Sequence, residues 1–100
     1  MQDQPVSPVP INTQTEISRN QSLLVAQVGD EIVMMDVESG HYYGLDDIGS
    51  DIWRRLESPS RFADLIVGLS ADYDAEPAII AEDVRLLITK MAAQGVVTLT

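Results

Sequence analysis

The sequence predicts an α+β domain of winged-helix-like architecture, a three-stranded antiparallel sheet followed by three helices. Three observations point to it. β-rich runs separated by short glycine-containing turns fill residues 23–45. From residue 46 onward apolar residues recur at helical spacing instead. The change of period occurs once, which places the sheet first and packs the helices against it. A chain of 100 residues has room for one such domain and little room for a deep catalytic cleft.

The elements follow in order. Residues 1–20 read as a flexible N-terminal tail, because Pro5, Pro8 and Pro10 recur among Gln, Asn, Ser and Thr, and proline fixes φ and removes donors. Ile17 is expected to begin a short edge strand. The folded domain is expected over residues 21–100. Leu23–Val28 is a strand, Gly29-Asp30 a two-residue turn of the Gly-X type, and Glu31–Val37 the return strand. Glu38-Ser39-Gly40 turns again into His41-Tyr42-Tyr43-Gly44-Leu45, the third strand of a meander. Its alternation sets His41, Tyr43 and Leu45 on one face, and Tyr43 and Leu45 are expected in the core.

Asp46 or Asp47 caps a first helix over residues 48–57, whose stripe is Ile48, Ile52, Trp53 and Leu56. Ser58-Pro59 stops it. Ser60 is expected to cap a second helix carrying Phe62, Leu65, Ile66 and Leu69. Pro77 opens the third helix at a position where its missing N–H costs nothing, and Gly95 ends it. Ile80, Val84, Leu87 and Met91 form its core-facing stripe, and Leu86, Ile88 and Ala92 widen the apolar face beyond it. Val96–Leu99 reads as a short last strand.

Composition removes several functions. Six basic residues stand against 16 acidic ones, a net charge of −10, and such a surface repels phosphate backbones and anionic membranes. The third helix would have to read DNA with Arg85 and Lys90 against Glu76, Glu82 and Asp83. A winged-helix transcriptional regulator is therefore the weaker alternative. With no cysteine and a single histidine, His41, thiolate and paired-histidine metal sites are ruled out. Asp46, Asp47 and Asp51 cluster at one helix start, where capping and solvation account for them better than a cation does. The sequence carries no phosphate loop or nucleophile motif, so no catalytic residue, metal or cofactor is expected. Nor does it show an apolar span or a secretory signal, so the expected location is cytoplasmic.

What remains is a binding surface. The tyrosine-rich strand is last in its meander and so lies at a sheet edge, where unpaired N–H and C=O groups invite another strand. Beside it runs a helix with a widened apolar face. That pairing suits capture of an extended peptide by β-augmentation.

The run from Asp36 to Leu56, with Tyr42-Tyr43-Gly44-Leu45-Asp46 leading into Gly49 and then Ile52-Trp53, resembles the PqqD family signature. Tyr73-Asp74, Asp83-Val84 and Gly95-Val96-Val97 fit its later parts, so the resemblance covers roughly residues 17–99. Asp46 stands where the family pattern has Asn, a small change at a capping position. The resemblance implies a RiPP recognition element, a non-catalytic domain that binds the leader segment of a ribosomally made precursor peptide. The leader would add as an antiparallel strand to the third strand, against the third helix. Carried over by position, the peptide site is His41, Tyr42, Tyr43, Gly44 and Leu45 together with Asp83, Arg85, Leu86, Ile88, Thr89 and Lys90. The implied partners are the precursor leader peptide and a modifying enzyme such as a leader protease. Lasso-peptide biosynthesis is favoured, and a PQQ-type chaperone serving a radical enzyme is the alternative within the family.

Overall fold

Two antiparallel sheets, not one, carry the fold. The structure, a computed structural model, describes residues 11–100. β1 (Glu16–Arg19) is followed by the meander β2 (Leu24–Val28), β3 (Glu31–Asp36) and β4 (His41–Leu45). Then come α1 (Asp47–Arg55), the short β5 (Ser60–Arg61), α2 (Phe62–Tyr73), α3 (Pro77–Ala93) and β6 (Val97–Leu99). The meander is one three-stranded sheet in the order β2-β3-β4, and the other sheet has the order β5-β1-β6. The α+β expectation holds, with three helices following the expected sheet.

The meander forms as its turns dictate. Val28 pairs with Glu31, which leaves Gly29-Asp30 as a two-residue connection. Gly29 has φ +64° and Asp30 does not share the positive sign, the pattern of a type II′ hairpin turn. Ile32 and Met34 of β3 and Leu45 of β4 are buried, and Tyr43 packs half-buried against them. They meet Ile52 and Trp53 of α1 and Leu56 at its C-cap, and the core continues through Phe62, Leu65, Leu69, Val84 and Met91.

The second sheet corrects the tail boundary. Residues 1–10, with all three tail prolines, lie outside the described residues. Residues 11–19, read as the end of a tail, pack into the domain: Ile11 and Ile17 are buried, and β1 is the central strand of its sheet. The reason is non-local. Glu16 and Thr100 exchange backbone hydrogen bonds of 3.1 and 2.9 Å. Arg19 donates to the Trp53 carbonyl from Nε and Nη2 at 2.9 and 2.6 Å, with its guanidinium 4.6 Å from the Trp53 ring centroid. A polar local composition hides a strand whose partners come from the other end of the chain.

Helix starts follow two routes. Asp46 caps α1, its carboxylate accepting from the Gly49 N–H at 2.9 Å. Ser60 does not cap α2: it lies in β5, and Arg61 is the N-cap residue with no side-chain bond. The free N–H groups of Phe62 and Ala63 donate instead to the carbonyls of Thr15 and Thr13, at 2.8 and 3.1 Å, so neighbouring backbone satisfies the orphan donors.

Candidate functional site

Among the described residues, β4 pairs with β3 on one side and with no strand on the other. Alternate residues of an antiparallel strand aim their N–H and C=O groups away from the paired side, so its outer edge is a row of free backbone groups. A groove of about 270 Å³ runs along that edge. Tyr42, Tyr43, Gly44 and Leu45 line it from the strand, Asp46 and Gly49 from the start of α1, and Leu87, Lys90, Met91 and Gln94 from α3. Asp46 and Lys90 are the charged residues in that lining, so the groove has an anionic end at the helix cap and a cation on its helical wall.

Ser50 sets the far end of the strand. Its buried hydroxyl donates to the Leu45 carbonyl at 3.1 Å and accepts from the Ile32 N–H at the same distance. One side chain of α1 thereby ties the end of β4 to β3. A Cβ at Gly49, next to it, would sit 3.2 Å from the Asp46 carboxylate that caps the helix, so a larger residue there would have to push that carboxylate back by a few tenths of an ångström.

The helical side of the carried-over site is rearranged. Asp83, Leu87, Lys90 and Gln94 share one lane of α3, and Leu87, Lys90 and Gln94 line the groove. Leu86 is exposed on the shoulder of that lane. Ile88, expected on the outer side, is fully buried, while Leu87, expected in the core, is half-buried at the groove wall. Both fit a helical stripe through Ile80, Val84 and Met91, and the packing of α3 on α2 and β6 buries Ile88 and leaves Leu87 half-exposed. Arg85 and Thr89 face the other flank. Arg85 donates to the Ile11 carbonyl at 3.1 Å, its guanidinium 5.1 Å from the Phe62 ring centroid, and the Thr89 hydroxyl donates to the Arg85 carbonyl at 2.7 Å. His41 is exposed at the start of β4, its ring edge-on to Tyr43 at 6.4 Å. Asp46, Gly49, Leu87, Met91 and Gln94 are the lining residues absent from the expected site.

The carboxylates at the start of α1 have separate tasks. Asp46 is the cap, and Asp51 accepts from Arg55 at 2.9 Å and from the Tyr73 hydroxyl at 2.8 Å. Burial alone would raise the Asp51 carboxyl, but the hydrogen bonds from Arg55 and Tyr73 and the nearby Arg55 charge outweigh it and hold the group below its ordinary value. The same bond to Asp51, with a further bond that Arg55 donates to Asp72, raises the Arg55 guanidinium, and the bond to Asp51 raises the Tyr73 phenol. The cluster joins α1 to α2 and lies apart from the groove lining. Among the described residues no group of three His, Asp or Glu side chains is placed to hold a metal ion. Among them, too, no helix is long and apolar enough to cross a membrane.

Fold and groove together define a small α+β domain with an open strand edge set against a helix. The chain belongs to the PqqD family, and it is a PqqD-like RiPP recognition element: the family model described as coenzyme PQQ synthesis protein D matches residues 31–97. Two solved structures are similar to it. One is TbiB1 in complex with the TbiA(beta) leader peptide, 26% identical with a TM-score of 0.73, the match covering 80% of this chain and 93% of that one. The other is a lasso peptide synthetase B1 complexed with the leader peptide, 27% identical with a TM-score of 0.69, covering 82% of this chain and 96% of that one. No curated protein matches the chain.

Proposed function

We propose that this chain is a non-catalytic carrier that holds the leader segment of a ribosomally made precursor peptide and presents it to a modifying enzyme in the cytoplasm, in a pathway of the lasso-peptide type. The leader adds antiparallel to β4 and lies in the groove against α3. Backbone bonds to the free edge give affinity without regard to sequence, and side-chain pockets give the choice of peptide. Apolar leader residues fill the space between Tyr43, Leu45, Leu87 and Met91, and an acidic leader residue pairs with Lys90. On the helical side the proposed contacts are Asp83, Leu86, Leu87, Lys90 and Gln94; Arg85, Thr89 and Ile88 stand behind them as framework.

The observation that supports this reading most is the open β4 edge with a helical wall beside it. β2 is an edge strand too, but it is exposed along its whole length, and a strand added there would gain no second wall. A PQQ-type role is the second reading, favoured by the description of the matching family model. In both readings the peptide takes the same groove, and only the receiving enzyme differs.

The test is fluorescence anisotropy with labelled leader peptides from precursor genes neighbouring that of this chain. Leu87→Glu places an unpaired charge in the groove wall and weakens binding by about tenfold or more. Thr98→Glu, at an exposed position of β6, changes binding by about twofold at most. No binding of any such peptide by the wild-type chain, or equal binding by Leu87→Glu, contradicts the reading.

A further inference from the structure

The meander has a second face, which shares only Tyr42 and Gly44 of β4 with the groove lining. Residues opposite one another across antiparallel strands share a face, and Ile32 and Met34 point to the core. The outward positions are therefore Leu24 opposite Met35 opposite Tyr42, and Ala26 opposite Val33 opposite Gly44. Leu24 is 55% and Tyr42 71% exposed, and Leu24, Ala26, Val33, Met35 and Tyr42 border one shallow depression. A sheet packed on one side ordinarily alternates apolar and polar residues. Here both faces are apolar, and exposed apolar patches of this kind mark interaction sites.

Charge selects the occupant. From residue 21 to residue 45 the chain has four acidic residues, Asp30, Glu31, Asp36 and Glu38, and neither lysine nor arginine. Glu31, opposite Val28, projects on the apolar face itself, Asp30 and Glu38 lie in the turns at its two ends, and Asp36 shares the side of Ile32 and Met34. The cation nearest this margin is Arg54, which donates to the Asp30 carbonyl at 3.1 Å, so the border carries more acid than base. Two copies, each at −10, would press like charges together on this face, and nucleic acid would be repelled. A folded protein with an apolar patch ringed by lysine and arginine fits it.

We infer that the outer face of β2-β3-β4 is the docking surface for the enzyme that processes the bound peptide, an inference that rests on the function proposed above. The two surfaces meet at β4. A strand added to β4 extends the outer face, because every second residue of the added strand projects to the same side as Tyr42 and Gly44. A Cβ at Gly44 would meet nothing within 4 Å, so the peptide side chain beside it stands open to the enzyme. The enzyme then reads sheet and peptide as one surface, and by linkage each of them raises affinity for the other by the same factor.

The test uses the full chain, its leader peptide and the purified leader protease from the same gene neighbourhood. Leu24→Lys/Ala26→Lys alters two exposed positions on the strand farthest from the groove. Its peptide affinity stays within about twofold of wild type, which also reports that the domain is folded. Its affinity for the protease, measured by biolayer interferometry, falls by about tenfold or more, and leader cleavage slows accordingly. Glu31→Lys/Glu38→Lys weakens protease binding at low salt and loses that effect at high salt. Equal protease binding by wild type and Leu24→Lys/Ala26→Lys, with peptide binding intact in both, overturns the inference and leaves the proposed function standing. Wild-type chain that takes up protease but no peptide overturns the proposed function and leaves the docking face standing. A dimer in sedimentation that Leu24→Lys/Ala26→Lys dissociates assigns the face to a second copy, and protease affinity that rises about tenfold or more on deletion of residues 1–10 assigns it to that segment. Either result overturns the inference.

Discussion

Among the described residues the domain contains two three-stranded antiparallel sheets that differ in almost everything except strand number. In β5-β1-β6 the middle strand is sealed: Ile17 has no exposed surface, Val97 is buried, and Glu16 and Thr100 close the sheet through paired backbone bonds. In β2-β3-β4 only β3 and the end of β4 reach the core, and all of β2 is exposed. The closed sheet shares in holding the helices together. The open one offers a strand edge on one side and an apolar face on the other. Division of labour between sheets lets a chain this small keep a core and still leave backbone groups unpaired at a surface.

The largest effect expected from this contrast is in stability. Ile17→Ala removes a fully buried side chain and destabilises by about 2–5 kcal/mol, whereas Leu24→Ala, at an exposed site, costs less than about 0.5 kcal/mol. Urea unfolding of the two variants measures the difference, and similar midpoints would break the comparison.

Ser50→Ala comes next. It strands the buried Ile32 N–H and releases the Leu45 carbonyl, at a cost of about 1–3 kcal/mol. Because the bond fixes the end of β4, peptide affinity falls along with stability. Denaturation and anisotropy on the same sample read the two effects separately.

The smallest effect is electrostatic and lies away from both sheets. The Asp51 carboxyl is held below its ordinary value, so its contribution is fully present above the unfolded carboxylate range. That contribution is lost as pH falls through the depressed folded value, below about 4. The pair is partly exposed, and Asp51→Asn costs about 1 kcal/mol at neutral pH. The variant's stability changes less than that of wild type as pH falls from 5 toward 2, values set for the experiment around that range. Parallel pH profiles would contradict the account.

The open sheet was legible in the sequence with its pairing. Of the closed one, a short strand at Ile17 and the last strand at Val96–Leu99 were legible, and their pairing, with β1 at the centre, was not. Gly29-Asp30 and Gly40 mark the turns of the meander locally, and its strands pair with neighbours in the chain. β1 pairs with a two-residue strand and with a strand from the other end of the chain, and nothing within residues 11–20 announces either partner. The groove was half legible for a similar reason. The strand side follows from its place at the end of the meander. On the helix, Leu87 and Ile88 both continue the stripe from Ile80, Val84 and Met91, and tertiary packing alone decides which of them is buried. Arg85 read as a free cation because its partners, the Ile11 carbonyl and the Phe62 ring, lie far away in sequence.

The most direct test of the central claim compares the two free edges of the open sheet. Amide hydrogen exchange of the full chain, followed by NMR with and without leader peptide, reads each edge residue by residue. The account predicts that alternate N–H groups within His41–Leu45 gain protection when peptide is added and that those of Leu24–Val28 do not. Protection appearing along β2, or a bound peptide that leaves the β4 amides unchanged, would contradict it.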